Sequence, residues 1–372
     1  MTQHPAHQMD FDTLLGGLNA EVANGNVYER QDGDLSLYCY SKGCVYDQAW
    51  NPITEVARGL IIDRAQRQIV ATPFPKFFNL GEGAREAPML DFEATIKEDG
   101  SLIIGFHHNG EWRTATKGSF YSDQAKVALT MLRPDILCPG VTYLAELIGP
   151  SNKIVISYPR DELRLLSAFD TAGYEFTRDE LAIYDYPDSF SLVNVFACES
   201  IADLIVHTAS LPASEEGYVL RFSDGTRLKL KGDEYRRLHA MISRLSPLTV
   251  WEALQQGDAE AMRRELPEEF WADFDQMRSL LTNGMIALVY AINQEAKAWS
   301  ACDDKELGLR LGEIAEPVRS FIFPCRKGFL DDAFALTGKT RQAIFREIRP
   351  TGNKLNGYAP SSVINRVLEE AL

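Results

Sequence analysis

The spacing of apolar residues in this 372-residue chain changes character near residue 240, and that change bounds the folds open to it. Up to about residue 235, short apolar runs recur between Gly, Pro, Asp and Asn. Leu35–Tyr40, Gly59–Asp63, Ser101–Phe106, Lys153–Tyr158, Gly217–Phe222 and Arg227–Lys231 read as strands. Asn109-Gly110 and Asp224-Gly225 are hairpin signals between such runs. Helical stretches at Ser122–Leu132 and Ser200–Val206 interrupt the pattern. Further on, Pro247–Leu254 reads as a capped helix start. Glu268–Trp299 then carries Phe270, Phe274, Met277, Leu280, Leu281, Ile286, Leu288 and Val289 at helical spacing. Glu306–Phe321, Gly328–Leu336, Thr340–Ile348 and Ser361–Leu372 continue helically. The expectation is a mainly β catalytic-type domain over 1–240 and an all-α domain over 241–372, without internal repeats.

Composition narrows the function classes. With 45% apolar and 24% charged residues the chain reads as globular rather than disordered or fibrous. No apolar run approaches the roughly 18 residues of a membrane span, so no membrane partner is expected. The N-terminal MTQHPAHQMDFD has neither a basic region nor an apolar core, which predicts no signal peptide. Six cysteines (39, 44, 138, 198, 302 and 325) form no CxxC pair, so reduced thiols in a cytoplasmic setting are the expectation; a monomer is expected separately. The net charge of −15 argues against coating nucleic acid with a basic surface, but leaves room for one basic cleft.

The chemistry points to Lys97-Glu98-Asp99-Gly100-Ser101, between the strand-like FEATI and LIIGF. A lysine at a strand end is a candidate nucleophile. Its ordinary pKa of about 10.4 leaves only about one amine in 2,500 neutral at pH 7, so its surroundings must activate it. Alone, this pentapeptide is a weak signal and reads first as a solvated lysine before an Asp-Gly turn.

The motifs around it carry a resemblance. KEDGS resembles the nucleophile motif of the covalent nucleotidyltransferase superfamily, and the series resembles its bacteriophage-type RNA ligase 1 family. Arg58-Gly59 in VARGLIID, Phe74–Asn79 with its KFFN, Thr116–Ser119 (TKGS), Leu144–Val155 (LAELIGPSNKIV), Glu216–Val219 (EGYV) and Leu228–Lys231 (LKLK) follow in the family's order.

The resemblance implies an α+β protein: an antiparallel-sheet, ATP-grasp-like nucleotidyltransferase domain, then a helical C-terminal domain concerned with the RNA substrate. It implies an ATP-dependent RNA ligase using ATP and Mg²⁺ (or Mn²⁺). Lys97 would form a lysyl-AMP, an RNA-adenylate would follow, and a 5′-phosphate would be joined to a 3′-hydroxyl, as in repair of cleaved tRNA. Lys97, Asp99, Lys229 and Lys231 are then the catalytic candidates. Tyr40, Arg58, Lys76, Gly100, Lys117, Glu146 and Glu216 join Lys97, Lys229 and Lys231 as nucleotide-binding candidates. Glu146 and Glu216 are the metal candidates, directly or through water.

Lys229 and Lys231 lie two apart on a strand and share a face, where they could repel a proton from Lys97. Transfer of a phosphate-centred group needs positioning and charge neutralisation more than acid–base groups. Which aromatic holds the base stays open, as does the reading of each lysine or glutamate singly as a surface charge or turn residue. Competing signals fail. Gly338-Lys-Thr340 lacks the first glycine of a phosphate loop, His107-His108 lacks a third ligand, and Ser101 and Ser119 lack a triad.

The absence of a β-rich pattern after Lys231 disfavours a GTP-dependent capping-type nucleotidyltransferase; a silent RNA-end-binding protein is the remaining alternative. In the helical half, Arg326, Lys327, Lys339, Arg341, Arg346, Arg349 and Lys354 face only Asp331, Asp332 and Glu347 in count. This stretch is either an RNA-backbone contact or a solvated basic face. Arg236, Arg237 and His239 are a second candidate for a 5′-phosphate.

Overall fold

A computed structural model describes residues 2–82, 85–184, 186–266, 270–330, 338–351, 355 and 358. The chain divides into two compact units, 1–239 and 240–366. Strands in the first are β1 (Val27–Asp32), β2 (Leu35–Tyr40), β3 (Arg58–Asp63), β4 (Gln68–Ala71), β5 (Phe78–Asn79), β6 (Phe92–Ile96), β7 (Ser101–His108), β8 (Glu111–Thr116), β9 (Thr142–Ile148), β10 (Glu162–Phe169), β11 (Phe190–Leu192), β12 (Gly217–Phe222) and β13 (Arg227–Lys231). They build three sheets, ordered β1-β2-β3-β4, β11-β10-β9-β7-β8 and β5-β13-β12-β6.

Pairing is antiparallel except at two edges, where β11 joins β10 and β5 joins β13 in parallel. The result is an α+β unit of largely antiparallel sheets. Asn109 and Gly110 close the β7–β8 hairpin with φ of 51° and 87°, the left-handed pair that matches the twist of hairpin strands.

Period-2 alternation decides what each strand buries. In β2, Leu35, Leu37 and Cys39 pack with Leu102, Ile104 and Phe106 of β7, which joins the first two sheets face to face. Tyr38 points the other way, into a cluster with Leu14 and Leu18 of the helix Phe11–Ala23. On the outer side of the second sheet, Ile103 meets Ala128 of the helix Asp123–Met131. In the third sheet, Leu220, Phe222 and Leu228 pack on Leu204 of the helix Ile201–Ala209.

Two expectations need correction, and one helix is additional to them. Lys153–Tyr158 is not a strand; its backbone amides are used elsewhere, as shown below. Glu306–Phe321 is not one helix. Asp304–Arg310 is followed by single 3₁₀ turns at Leu311–Glu313 and Val318–Phe321, because Gly312 and Pro317 interrupt the run and proline supplies no backbone donor. The helix Phe11–Ala23, capped by Asp10 accepting from the Thr13 amide, was missed.

The second unit is helical among its described residues. It includes Pro247–Gln256, the 28-residue Trp271–Ala298 and Lys339–Glu347. The expected helix Ser361–Leu372, most of Gly328–Leu336, and Asp331, Asp332 and Lys354 lie outside the described residues.

Part of the basic stretch there is structural, while Lys327, Lys339 and Arg346 are exposed. Arg341 is buried, donates to the Leu254 and Gln255 carbonyls at 2.7 and 2.8 Å, and covers the Phe345 ring. It satisfies carbonyls at the C-terminal end of Pro247–Gln256, which the helix itself leaves unpaired. Arg326 donates to the Cys302 carbonyl, and Arg349 lies over Trp251. None of the six cysteines, all among the described residues, is in a disulfide. Among the described residues, no helix is long and apolar enough to cross a membrane.

Candidate active site

Lys97 sits where the chain leaves β6 of the third sheet and enters β7 of the second. Its backbone amide donates to the Gly217 carbonyl at 2.9 Å, which continues the β6–β12 ladder past the last strand residue. The register then aligns one face of the third sheet. Glu93 opposes Arg221, Thr95 opposes Val219, Val219 opposes Lys229, Arg221 opposes Arg227 and Gly217 opposes Lys231. Cross-strand partners share a face, so Lys97, Lys229 and Lys231 project to the same side. Leu228 and Leu230 go to the core on the other.

That face lines a cavity of about 280 Å³. Its other walls include Arg58, Lys76, Phe77, Lys117, Glu146 and Tyr40.

Two glycines permit this closeness. A Cβ on Gly100 would lie 2.1 Å from the Leu147 carbonyl oxygen, and one on Gly217, at φ 139°, would lie 2.0 Å from that of Leu230. Gly100 therefore lets the turn after Lys97 lie against β9, and Gly217 lets β12 begin beside Lys231.

Glu216 joins the lysines. Its two carboxylate oxygens accept from Lys97 Nζ and Lys231 Nζ, each at 2.8 Å, and its side chain is only 2% exposed. This corrects the expectation for Lys97. Burial pulls its pKa down, but Glu216 and then Glu146 more than offset burial, so it stands above the ordinary lysine value. The amine made easy to deprotonate is Lys229. Burial, then Lys76, Lys231, Lys97 and Arg58, push its pKa down to about 7. Glu146 moves the opposite way, up to about 7, because burial outweighs the pull of Lys97 and Glu216 adds repulsion.

Asp99 is also reassigned. It does not line the cavity. Its Oδ2 accepts from the Val155 and Ile156 amides at 2.8 and 2.7 Å, and its Oδ1 from the Tyr235 hydroxyl at 2.7 Å. These bonds explain why 153–158 does not pair as a strand. Ser101 completes the lock by donating to Asn152 Oδ1 at 3.1 Å, while Asn152 Nδ2 donates to the Leu147 carbonyl at 2.7 Å. Asp99 is a positioning residue for the Lys97 turn.

The remaining candidates fall around the cavity. Arg58 lies 5.2 Å from the Phe77 ring centre, and its buried Nη1 has no hydrogen-bond partner among the described residues, a donor available to an anion. Lys76 lies 4.4 Å from the Phe78 ring and is pulled below the ordinary lysine pKa, mainly by burial. Lys117 is set by the turn in which the Thr116 amide donates to Ser119 O at 2.9 Å. Tyr40 is a wall residue packed edge-on to Trp50, with ring centres 5.2 Å apart.

Sequence reasoning missed Glu93, Thr95, Val193, Arg221 and Arg227 as lining residues. For all but Val193 the signal was present in the strand alternation that singled out Lys229 and Lys231. Arg221 and Arg227 both pair with the buried Glu175, which offsets their charge.

The two carboxylates proposed for a metal differ in fit. Both Glu216 oxygens are committed to ammonium groups, which argues against its direct ligation in this state. Glu146 faces the cavity. No group of three or more His, Cys, Asp or Glu side chains among the described residues could hold a cation. A divalent ion would thus need phosphate oxygens beside Glu146.

Such a cavity, with one lysine on a strand-to-strand turn and others on the neighbouring strand face, suits a phosphate-bearing ligand. Residues 56–235 match a family model described as RNA ligase. That segment, just under half of the chain, holds every site residue named above except Tyr40, and through it the chain is similar to the RNA ligase family.

It is 26% identical over 266 residues to an Autographa californica nuclear polyhedrosis virus protein named for two assigned activities, polynucleotide kinase and RNA ligase. That match covers 62% of this chain and 36% of the viral one. A Thermovibrio ammonificans protein assigned as an RNA ligase is 27% identical over 208 residues, with 50% of this chain and 54% of the other covered. This chain therefore spans between a third and just over half of these relatives' lengths. Among solved structures, an archaeal ATP-dependent RNA ligase aligns with a TM-score of 0.46 at 16% identity, covering 79% of this chain and 83% of that one.

Proposed function

We propose that this chain is an ATP-dependent RNA ligase with Lys97 as its nucleophile. The observation that carries the reading is the shared strand face on which Lys97, Lys229 and Lys231 line one cavity with Arg58, Lys76 and Lys117. The amine lone pair of Lys97 attacks the α-phosphorus of ATP, a nitrogen–phosphorus bond forms, and pyrophosphate leaves with the electron pair of the broken phosphorus–oxygen bond. Starting from the ammonium, Lys97 gives up two protons: one to the Glu216 carboxylate it already contacts, which frees the lone pair, and a second to solvent once the nitrogen–phosphorus bond has formed. Lys229 and Lys231 neutralise charge on the α-phosphate, while Arg58, Lys76 and Lys117 hold the other phosphates and the ribose. A divalent ion, held by Glu146 together with phosphate oxygens, supplies further charge neutralisation when bound.

The adenylate then passes to an RNA 5′-phosphate, and a 3′-hydroxyl displaces AMP. RNA repair, with cleaved tRNA as the candidate substrate, is the role this chemistry suits. Incubation with α-phosphate-labelled ATP and Mg²⁺ or Mn²⁺ should label the protein in an acid-labile, alkali-stable bond that Lys97→Ala abolishes. Label from GTP alone would favour capping chemistry. No label from either nucleotide would favour a silent RNA-end binder.

A further inference from the structure

We infer that Tyr158 is a positioning residue for the nucleophile, acting through the peptide that joins Glu98 to Asp99. This deepens the reading of Lys97 and rests on it. The amide of that peptide, Asp99 N–H, donates to the Tyr158 hydroxyl at 3.0 Å. Its carbonyl, Glu98 O, accepts from Lys97 Nζ at 3.4 Å. The Tyr158 hydroxyl in turn donates to Glu98 Oε2 at 3.1 Å. The ring of bonds thus runs from the Glu98 carboxylate to the tyrosine, through the peptide, to the nucleophilic amine. Rotation of that peptide would swing its carbonyl away from Lys97 Nζ.

The hydroxyl uses both its donor and its acceptor here, so phenylalanine removes both bonds and keeps the ring. The segment that carries Tyr158 is itself anchored to the same turn, because Asp99 accepts from the Val155 and Ile156 amides. Two independent sets of bonds therefore hold the turn, and only the Tyr158 set orients the carbonyl facing the amine. Small misplacement of a reacting group costs rate rather than affinity.

The test is single-turnover self-adenylylation of the full chain carrying Tyr158→Phe, with ATP and Mg²⁺. The rate constant should fall roughly tenfold, with the ATP concentration giving half-maximal rate unchanged within about twofold. The labelled amplitude and the near-ultraviolet circular dichroism should match the parent. A purely structural role would lower the amplitude and leave the rate constant of the remaining enzyme unchanged, and that result would overturn the inference. A rate constant within twofold of the parent would also overturn it. Failure of the parent chain to take label would remove the adenylylation reading, and this inference with it.

Discussion

Replacing Glu216 by glutamine removes the anion that Lys97 and Lys231 share. Glutamine keeps the shape but offers one oxygen and one amide nitrogen, so one lysine would face a donor instead of an acceptor. Removing one partner of a buried ion pair costs about 3–5 kcal/mol. Here both lysine side chains keep about a fifth of their surface exposed, 20% and 23%, and water offsets part of the loss. A cost of about 2–4 kcal/mol follows. For a unit of this size that is a fall in Tm of roughly 5–15 °C.

The pH dependence has a definite sign. The Glu216 carboxyl sits below its ordinary pKa: burial opposes this, but Lys97 and Lys231 prevail. Its stabilisation is therefore present above the unfolded-state value of about 4.3 and is lost as pH falls through the lower folded value. Differential scanning fluorimetry of parent and Glu216→Gln from pH 7 down to pH 3 should show a gap that closes only in the acid range. A gap under 2 °C at pH 7, or one that is constant down to pH 3, would refute this account of the pair.

Three further outcomes follow from the same geometry. Lys229, with its pKa held down near 7, costs stability at and below neutrality that is relieved as pH rises from about 7 towards 10.4. Lys229→Met should accordingly raise Tm by a few degrees at pH 6 while abolishing self-adenylylation; a lowered Tm at pH 6 contradicts the burial argument. Asp99→Ala strands the Val155 and Ile156 amides and the Tyr235 hydroxyl and should cost about 2–4 kcal/mol in urea unfolding, whereas Asp99→Asn keeps an acceptor for the amides and should cost less than half of that; equal costs would count against the positioning role. Arg341→Glu should destabilise the helical unit by about 2 kcal/mol or more, since it buries a carboxylate against two carbonyls, and a variant as stable as the parent in circular dichroism melts would return Arg341 to the surface.

Much of the first unit was legible because its signals are local. The strand ends at Tyr40, Asp63, Phe222 and Lys231, and the Asn109-Gly110 turn, follow from alternation and from residues that accept positive φ. Lys153–Tyr158 was misread because its β-branched run looks like a strand, while its amides are claimed by Asp99, more than fifty positions earlier. Arg341 was misread because a cation within a helical stretch gives no local sign of burial. The cavity-lining Glu93, Thr95, Arg221 and Arg227 required knowing that β6, β12 and β13 are neighbours.

What the order of residues determined was the set of side chains and the face each would take, since a pleated strand sends every second residue to the same side. Where the protons rest was decided only by the folded chain. Lys97 and Glu216 are 119 positions apart yet lie within 2.8 Å, and Lys229 is crowded by cations from four other places. A group's affinity for a proton depends on its burial and on the charges that surround it in space, and neither quantity is written in the spacing of a motif.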